Sequence, residues 1–390
     1  MSSPAPVRWQ REDRFANRRR QRQFNASFRV PFMRQLSSDD IEALAVGAWI
    51  LGTGGGGSPY HALLNLRRLY EDGSRVNLID IDELHDDDAV AVVSVMGAPL
   101  VILERMVDSR LIARAVSAME EHLGRKFKAV MAIEIGGGNG MQPLLAAAHL
   151  GIPVVDADAM GRAYPEAQMT SFAVGDLSPC PLTSIDPRGN EVVISKSATW
   201  KWMERVSRKV CTEFGSLAAT CKAPRTGAEV KKWGIPRTTT KAINLGHAVN
   251  EANRRHADPI AAILKAESGQ RLFTGKVVEV ERRTTEGFLR GRTVIEGLGE
   301  DRAARIEIDF QNEWVVVWRE GRPVVSTPDL ICVLDSESGE AIGTETIRYG
   351  QRTTVIALPA AQVFLTPRGL EHVGPRAFGY DIDFNSVFPS

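Results

Sequence analysis

Three short stretches in the N-terminal half hold residue types that can bind and convert a polar small molecule. The densest runs Asp156-Ala157-Asp158-Ala159-Met160-Gly161-Arg162-Ala163-Tyr164-Pro165-Glu166, three carboxylates and one guanidinium within eleven residues after an apolar run. In an extended segment Asp156 and Asp158 share one side, by the two-residue period of a strand. Two close carboxylates can hold a divalent metal ion, or one can take a raised pKa and act as a base. Arg162 has the fork geometry to clamp a substrate carboxylate, with Glu166 as a further polar contact. The competing reading is a loop held by its own salt bridges.

The second stretch is Glu134-Ile135-Gly136-Gly137-Gly138-Asn139-Gly140. A carboxylate at a strand end, then Gly137 and Gly138, then the amide of Asn139, can bind a polar substrate and stabilise developing charge. A plain strand-to-helix turn is the alternative. The third stretch is Gly52-Thr53-Gly54-Gly55-Gly56-Gly57-Ser58-Pro59. Four consecutive glycines cannot sit inside a stable helix or strand. With Thr53 they form a loop whose N–H groups can meet an anion at the start of the next helix. No Gly-Lys-Ser/Thr follows, so it is not a Walker A loop. His61 falls just inside that next helix; alone it reads first as structural or surface and second as catalytic.

The elements that must position these stretches alternate. A capped helix start at Ser38 leads into the first glycine loop, and Tyr60–Tyr70 reads as a helix. Val76–Ile81, Ala89–Met96, Lys128–Glu134 and Gly151–Asp156 read as strands, with helices over 104–122 and 141–150 between them. Strands alternating with helices predict a mainly parallel sheet, with ligands beyond the carboxyl ends of the strands. From Leu272 onward the pattern is β: Lys276–Arg283, Phe288–Glu296, Arg305–Phe310, Trp314–Trp318, Leu330–Leu334 and Thr353–Leu358. The expectation is an α/β fold class: an N-terminal mainly parallel α/β domain with glycine-rich loops over 33–175, a mixed helical segment (linker or insertion) over 176–270, with a helix over 241–265, and a second, β-rich domain over 271–390.

Composition narrows the classes. Of 390 residues 43% are hydrophobic, and 48 Lys plus Arg balance 48 Asp plus Glu. This gives no reason to expect a nucleic-acid or membrane partner for the folded body; a homo-oligomer is left open. The four cysteines at 180, 211, 221 and 332 form no C-x-x-C pair, which fits a reducing, cytoplasmic setting. Residues 1–32 carry eight Arg against Glu12 and Asp13 and read as a disordered basic leader.

Together the three stretches resemble the S-methyl-thiohydantoin desulfurase-like family. The resemblance rests on Leu51–Gly57, Gly136–Gly140 and Val155–Glu166. It is extended by Gly287-Phe288, Pro328-Asp329-Leu330-Ile331 and Tyr349-Gly350. It runs from about Met33 to the end, and the basic leader departs from it. It implies hydrolysis of a five-membered cyclic amide, a hydantoin or thiohydantoin, and association with hydantoinase/oxoprolinase proteins. The expected mechanism has Asp156 or Asp158 activating water for attack at C2, with or without a divalent metal, and Glu134 and His61 as further catalytic candidates. Glycine-loop amides and Asn139 would stabilise the oxyanion or thiolate, and Arg162 would hold a substrate carboxylate. The alternatives are a non-catalytic partner subunit of a hydantoinase/oxoprolinase complex and a small-molecule-binding regulator.

Overall fold

Along the segment 89–97, Ala89, Ala91 and Val93 enter one apolar cluster, while Val90 and Val92 enter another on the opposite face. A strand covered on both faces has no polar side to show, so its sequence is a continuous apolar run. In the computed structural model, which describes residues 33–98, 101, 104–105, 107–285 and 287–388, this segment is a central strand of an eight-stranded sheet. The basic stretch 1–32 lies outside the described residues. In chain order the strands of that sheet are β1 (Arg34–Gln35), β2 (Asn77–Ile79), β3 (Ala89–Gly97), β4 (Ala129–Ala132) and β5 (Val154–Val155). After the short β6 (Ala157–Asp158) come β7 (Leu182–Ile185), β8 (Glu191–Ile194) and β9 (Leu217–Thr226). The spatial order is β1-β2-β5-β4-β3-β9-β7-β8. The four central strands from β2 to β3 run parallel; the others pair antiparallel.

Helices cover both faces. They include α1 (Ser38–Leu51), α2 (Tyr60–Glu71), α3 (Leu111–Leu123) and α4 (Gln142–Leu150). The cap of helix α1 lies one residue before Ser38: Ser37 is its N-cap and forms a capping box with Asp40, which satisfies amides that the first turn leaves open. The segment 176–270 is not a linker, because β7, β8 and β9 belong to the sheet and β9 pairs along β3 from Ala89 to Gly97. The same segment carries α5 (Trp200–Glu213), α6 (Gly227–Trp233), α7 (Thr238–Arg254) and α8 (Pro259–Glu267). The single helix expected over 241–265 is therefore two. Asp258 accepts from the amides of Ile260 and Ala261 and Pro259 opens the new helix, a local start signal that ends the continuity. Helices α1 and α7 cross closely: a Cβ on Gly47 would stand 1.8 Å from the carbonyl oxygen of Ala242, and one on Gly246 1.8 Å from that of Ala43.

The C-terminal domain is one antiparallel sheet. Its strands are β11 (Gln270–Thr285), β12 (Phe288–Gly297), β13 (Arg305–Gln311), β14 (Glu313–Arg319), β15 (Arg322–Ser326), β16 (Leu330–Asp335) and β17 (Arg352–Leu358). A two-residue β10 (Ile235–Pro236) pairs with β6 outside both sheets. The C-terminal order is β15-β14-β13-β12-β11-β17-β16. Strand β15 is not readable from its sequence because Pro323 argues against a central strand; it sits at the sheet edge, where proline is tolerated. The two domains share a core: Leu330, Cys332, Ile356 and Leu358 join the cluster built from α1, α7 and one face of β3. Burying each such aliphatic side chain contributes about 1.5–3 kcal/mol. Among the described residues no helix is long and apolar enough to cross a membrane, and the four cysteines are unpaired.

Candidate functional site

The glycine loop is shaped by what it must pass. Thr53, Gly54, Gly56 and Gly57 have φ of 49°, 90°, 74° and 75°, a region that L side chains enter at a cost. A Cβ on Gly54 would stand 2.5 Å from the indole nitrogen of buried Trp314, and one on Gly55 2.1 Å from Oε1 of Glu313. A Cβ on Gly56 would strike the carbonyl oxygen of Gly136 at 2.4 Å. The loop is thus wedged between the β4–α4 turn and the start of β14. Backbone bonds lock it there: Gly138 N–H donates to Gly57 O at 2.8 Å, Trp314 N–H to Thr53 O at 2.8 Å, and Thr344 N–H to Gly54 O at 2.9 Å.

Glu134 leaves the end of β4 and turns into this junction. Its side chain accepts from Nδ2 of Asn139 at 2.6 Å and from the amide of Tyr164 at 3.1 Å. Asn139 Oδ1 in turn accepts from the amide of Val95 at 2.7 Å, so β3 orients the group that orients Glu134. Burial pushes the Glu134 carboxyl up to about 7, against the opposing pull of the Asn139 and Tyr164 hydrogen bonds and the Lys222 charge. A carboxyl in that range can both take and give a proton near neutral pH.

Glu134 lines a cleft of about 100 Å³ between the domains. Its walls include Gly55, Gly56, Gly57, Asn139, Glu166, Glu204, Arg208 and Lys222 from the first domain and Asn312, Glu313 and Glu345 from the second. Glu313 is 3% exposed, and its Oε2 has no hydrogen-bond partner among the described residues. Burial first, then the nearby Glu134 charge, holds its carboxyl well above the ordinary value. Glu345 is also raised by burial. Glu204 and Arg208 form an ion pair. Lys222 is 5% exposed, and its ammonium makes no ion pair or hydrogen bond among the described residues; burial lowers its pKa.

The structure brings together Gly55, Gly56, Gly57, Glu134, Asn139 and Glu166 at this cleft, with Thr53, Gly54, Gly137 and Gly138 behind it as the packed frame. It does not bring Asp156, Asp158 or Arg162 there. Asp158 is fully buried and accepts from the amides of Ile135, Met160 and Gly161; burial lifts its carboxyl to about 7. Asp156 accepts from the amide and hydroxyl of Thr240 and so closes the N-terminus of α7. Arg162, 1% exposed, donates to Thr53 Oγ1 at 2.6 Å and to the carbonyl oxygen of Asp329 at 3.1 Å, and its guanidinium lies 4.6 Å from the Tyr164 ring centroid. It ties the two domains and has no face left for a substrate carboxylate. The His61 ring lies tilted against Tyr60 and lines a neighbouring cavity with Ser58, Asn65 and Asp108, which shares Gly56, Gly57 and Asn139 with the cleft.

A divalent metal does not fit the Asp156–Asp158 pair, since both carboxylates already serve backbone and hydroxyl donors. Among the described residues no group of three His, Cys, Asp or Glu side chains is placed to hold one. Cysteine nucleophiles do not fit either: burial pushes the thiols of Cys211, Cys221 and Cys332 to about 11, 12 and 12. Residues missed by sequence reasoning are Lys222, Glu204, Arg208, Glu313 and Glu345. Lys222 did leave a signal, as the lone charge inside the apolar run Leu217–Ala223. Glu313 left less, a carboxylate just ahead of Trp314–Trp318.

A mixed α/β layer whose parallel strand ends are capped by an antiparallel domain, with ionisable groups of both facing one cleft, defines a two-domain protein with an interdomain cleft. The chain belongs to the S-Me-THD-like family: the N-terminal domain of that family matches residues 39–196 and the C-terminal domain residues 198–387. The family boundary near residue 197 falls between β8 and α5. A crystal structure of a protein from Chromobacterium violaceum is similar, with 26% identity over 90% of this chain and 99% of that one, and a TM-score of 0.76. No curated protein matches the chain.

Proposed function

We propose that this chain is a hydrolase of a hydantoin- or thiohydantoin-like cyclic amide, with the interdomain cleft as its active site and Glu134 as its acid–base group. The observation that carries this is the buried Glu134 carboxyl, lifted to about 7 and aimed by Asn139. It takes over the role that the sequence assigned to Asp156 or Asp158. Water adds at C2 as Glu134 accepts one of its protons. The C2–S bond then breaks as the former water oxygen becomes the ring carbonyl; Glu134 returns its proton to the departing sulfur, and the second water proton passes to the ring nitrogen of an S-methylated ring, which releases a thiol, or to the sulfur of a thiohydantoin, which leaves as hydrogen sulfide. Gly56 and Gly57 line the cleft, and their amides donate no hydrogen bond to protein among the described residues. They are the donors left for charge developing at C2. Glu313, whose carboxyl burial holds well above its ordinary value, offers a further donor from the second domain when it carries its proton.

A carboxyl tuned to neutral pH inside a cleft favours catalysis over the role of an accessory subunit for a hydantoinase/oxoprolinase protein, which requires no such group. The test is thiol release from an S-methylated thiohydantoin by the purified chain and by Glu134→Gln. Release by the parent and at least a hundredfold loss in the variant is the expected result, the usual scale for losing a general base. No release by the parent, or equal release by both, overturns it.

A further inference from the structure

A second concavity, of about 610 Å³, lies on the C-terminal sheet and shares no lining residue with the cleft. Ile306, Ile308 and Phe310 of β13 point into the core of that domain, so Glu307, Asp309 and Gln311 point to the other face, which floors the concavity. Strand pairing sets the rest of the floor. Arg283 on β11 stands directly opposite Arg290 on β12, and Arg290 opposite Gln311. In the next row of the same face Glu281 stands opposite Arg292, and Arg292 opposite Asp309. That row is satisfied: Arg292 donates to both oxygens of Asp309, at 2.6 and 3.1 Å, and to Glu307 at 2.5 Å. Arg282 is spent on the carbonyl oxygens of Thr344 and Ile347. The first row is not satisfied. Neither Arg283 nor Arg290 makes an ion pair or a side-chain hydrogen bond among the described residues, and Nε of Arg290 is buried without a partner. Glu281, two residues from Arg283 on the same side, is the one carboxylate of the floor outside the Arg292 cluster. It forms no ion pair among the described residues, and one carboxylate is set against two uncommitted guanidiniums.

Like charges directly opposite each other on neighbouring strands weaken a sheet, and a buried N–H without an acceptor is costly. Both faults occur at one place, and one anion between the two guanidiniums relieves both. Neighbouring strands set the two arginines about 4.8 Å apart at the backbone. A phosphate presents oxygens in several directions and can accept from two guanidinium forks at once, whereas a carboxylate offers two oxygens in one plane. The volume exceeds that of a phosphate and lies in the range of small-molecule pockets, roughly 300–1,000 Å³. Phe378 and Tyr380, both half-buried, supply an aromatic wall for the remainder, of the kind that packs against a flat ring. Tyr380 leans on Trp318, with ring centroids 6.2 Å apart, and lies close enough to Arg290 for their charges to interact. The aromatic wall and the free guanidinium are therefore neighbours. The balance of 48 basic against 48 acidic residues gives no extended field for a polyanion such as nucleic acid, so the ligand is a small one.

We propose that this concavity is a second ligand site, which takes a phosphorylated small molecule with an aromatic ring, of the nucleoside phosphate class. Arg283 and Arg290 hold the phosphate, and Phe378 and Tyr380 flank the ring. The site stands independently of the reaction assigned to the cleft, so binding is the measurement. Calorimetric titration of the full chain compares ADP with its two fragments, pyrophosphate and adenosine. ADP is expected to bind the parent at least tenfold tighter than either fragment. Arg283→Gln and Arg290→Gln should each weaken ADP at least tenfold. Phe378→Ala should weaken ADP and leave pyrophosphate unchanged. Arg322→Gln, an exposed arginine on the edge strand β15, should leave ADP binding as it is. Arg283 is exposed, so circular dichroism of Arg283→Gln should match the parent, and that variant decides the matter if Arg290→Gln folds poorly. ADP binding that survives in Arg283→Gln puts the phosphate elsewhere, the interdomain cleft included, and overturns the proposal. Equal affinity of the parent for ADP and either fragment, or no binding of ADP by the parent, overturns it as well.

Discussion

Asn139 stands between two strands with both ends of its amide in use: Nδ2 donates to Glu134 at 2.6 Å and Oδ1 accepts from the Val95 amide at 2.7 Å. The carboxyl at the end of β4 is therefore aimed by the backbone of β3. An amide that can neither rotate nor flip without losing both bonds fixes its partner with little entropy left to lose on binding.

If Glu134 is the base, activity should rise with pH through a midpoint near 7, where its carboxyl loses its proton. The parent should show this limb in kcat/KM and Glu134→Gln should show neither the limb nor the rate. A flat pH profile in the parent between pH 5 and about 8, where such a group must titrate, would remove Glu134 from the role.

Asn139→Leu should separate positioning from charge. The lost hydrogen bond favoured the ionised carboxylate, so the midpoint should move to higher pH, with a fall in kcat larger than any change in KM. Asn139→Asp should behave worse than Asn139→Leu at neutral pH, because a second carboxylate raises Glu134 further. A loss of activity with an unmoved midpoint would mark Asn139 as a structural tie only.

Gly54→Ala and Gly57→Ala should differ. Both add a Cβ at positive φ, a strain of about 1–2 kcal/mol. At Gly54 that atom meets the Trp314 ring at 2.5 Å, while at Gly57 nothing lies within 4 Å. Denaturant unfolding should show a loss of about 3 kcal/mol or more for Gly54→Ala, overpacking added to strain, and about 1 kcal/mol for Gly57→Ala. Equal losses would show that the Trp314 contact yields freely.

Stability should fall as pH rises from the ordinary carboxylate range toward 7. The folded carboxyls of Glu134 and Asp158, both near 7, hold protons that the unfolded chain has released. The folded state then binds more protons, so unfolding free energy declines with pH across that window and levels above it. Asp158→Asn should reduce this slope. It should also cost about 2 kcal/mol through a weakened acceptor for the Ile135, Met160 and Gly161 amides, read as a lower Tm. An Asp158→Asn variant that is fully stable but inactive would return this residue to the chemistry.

Sequence alone determined the parts whose cause is local. Apolar runs such as Ala89–Gly97 announced buried strands, and the glycines of 54–57 announced a loop that must let something approach. Glu134 and Asn139 could be named as polar groups of one turn, while the hydrogen bond between them is seen only in the fold. What sequence could not determine was which side chains would be covered. The fate of Asp156 depends on Thr240, 84 positions away; that of Arg162 depends on Thr53 and Asp329, 109 and 167 away. Those distant donors and acceptors turn apparent site residues into buried ties. In the same way only the approach of β9 and β14 gives Lys222 and Glu313 a common cavity with Glu134. Charge and hydrogen-bonding capacity are written in residue types, but whether they face a ligand or the protein is decided by desolvation, and desolvation belongs to the packed fold.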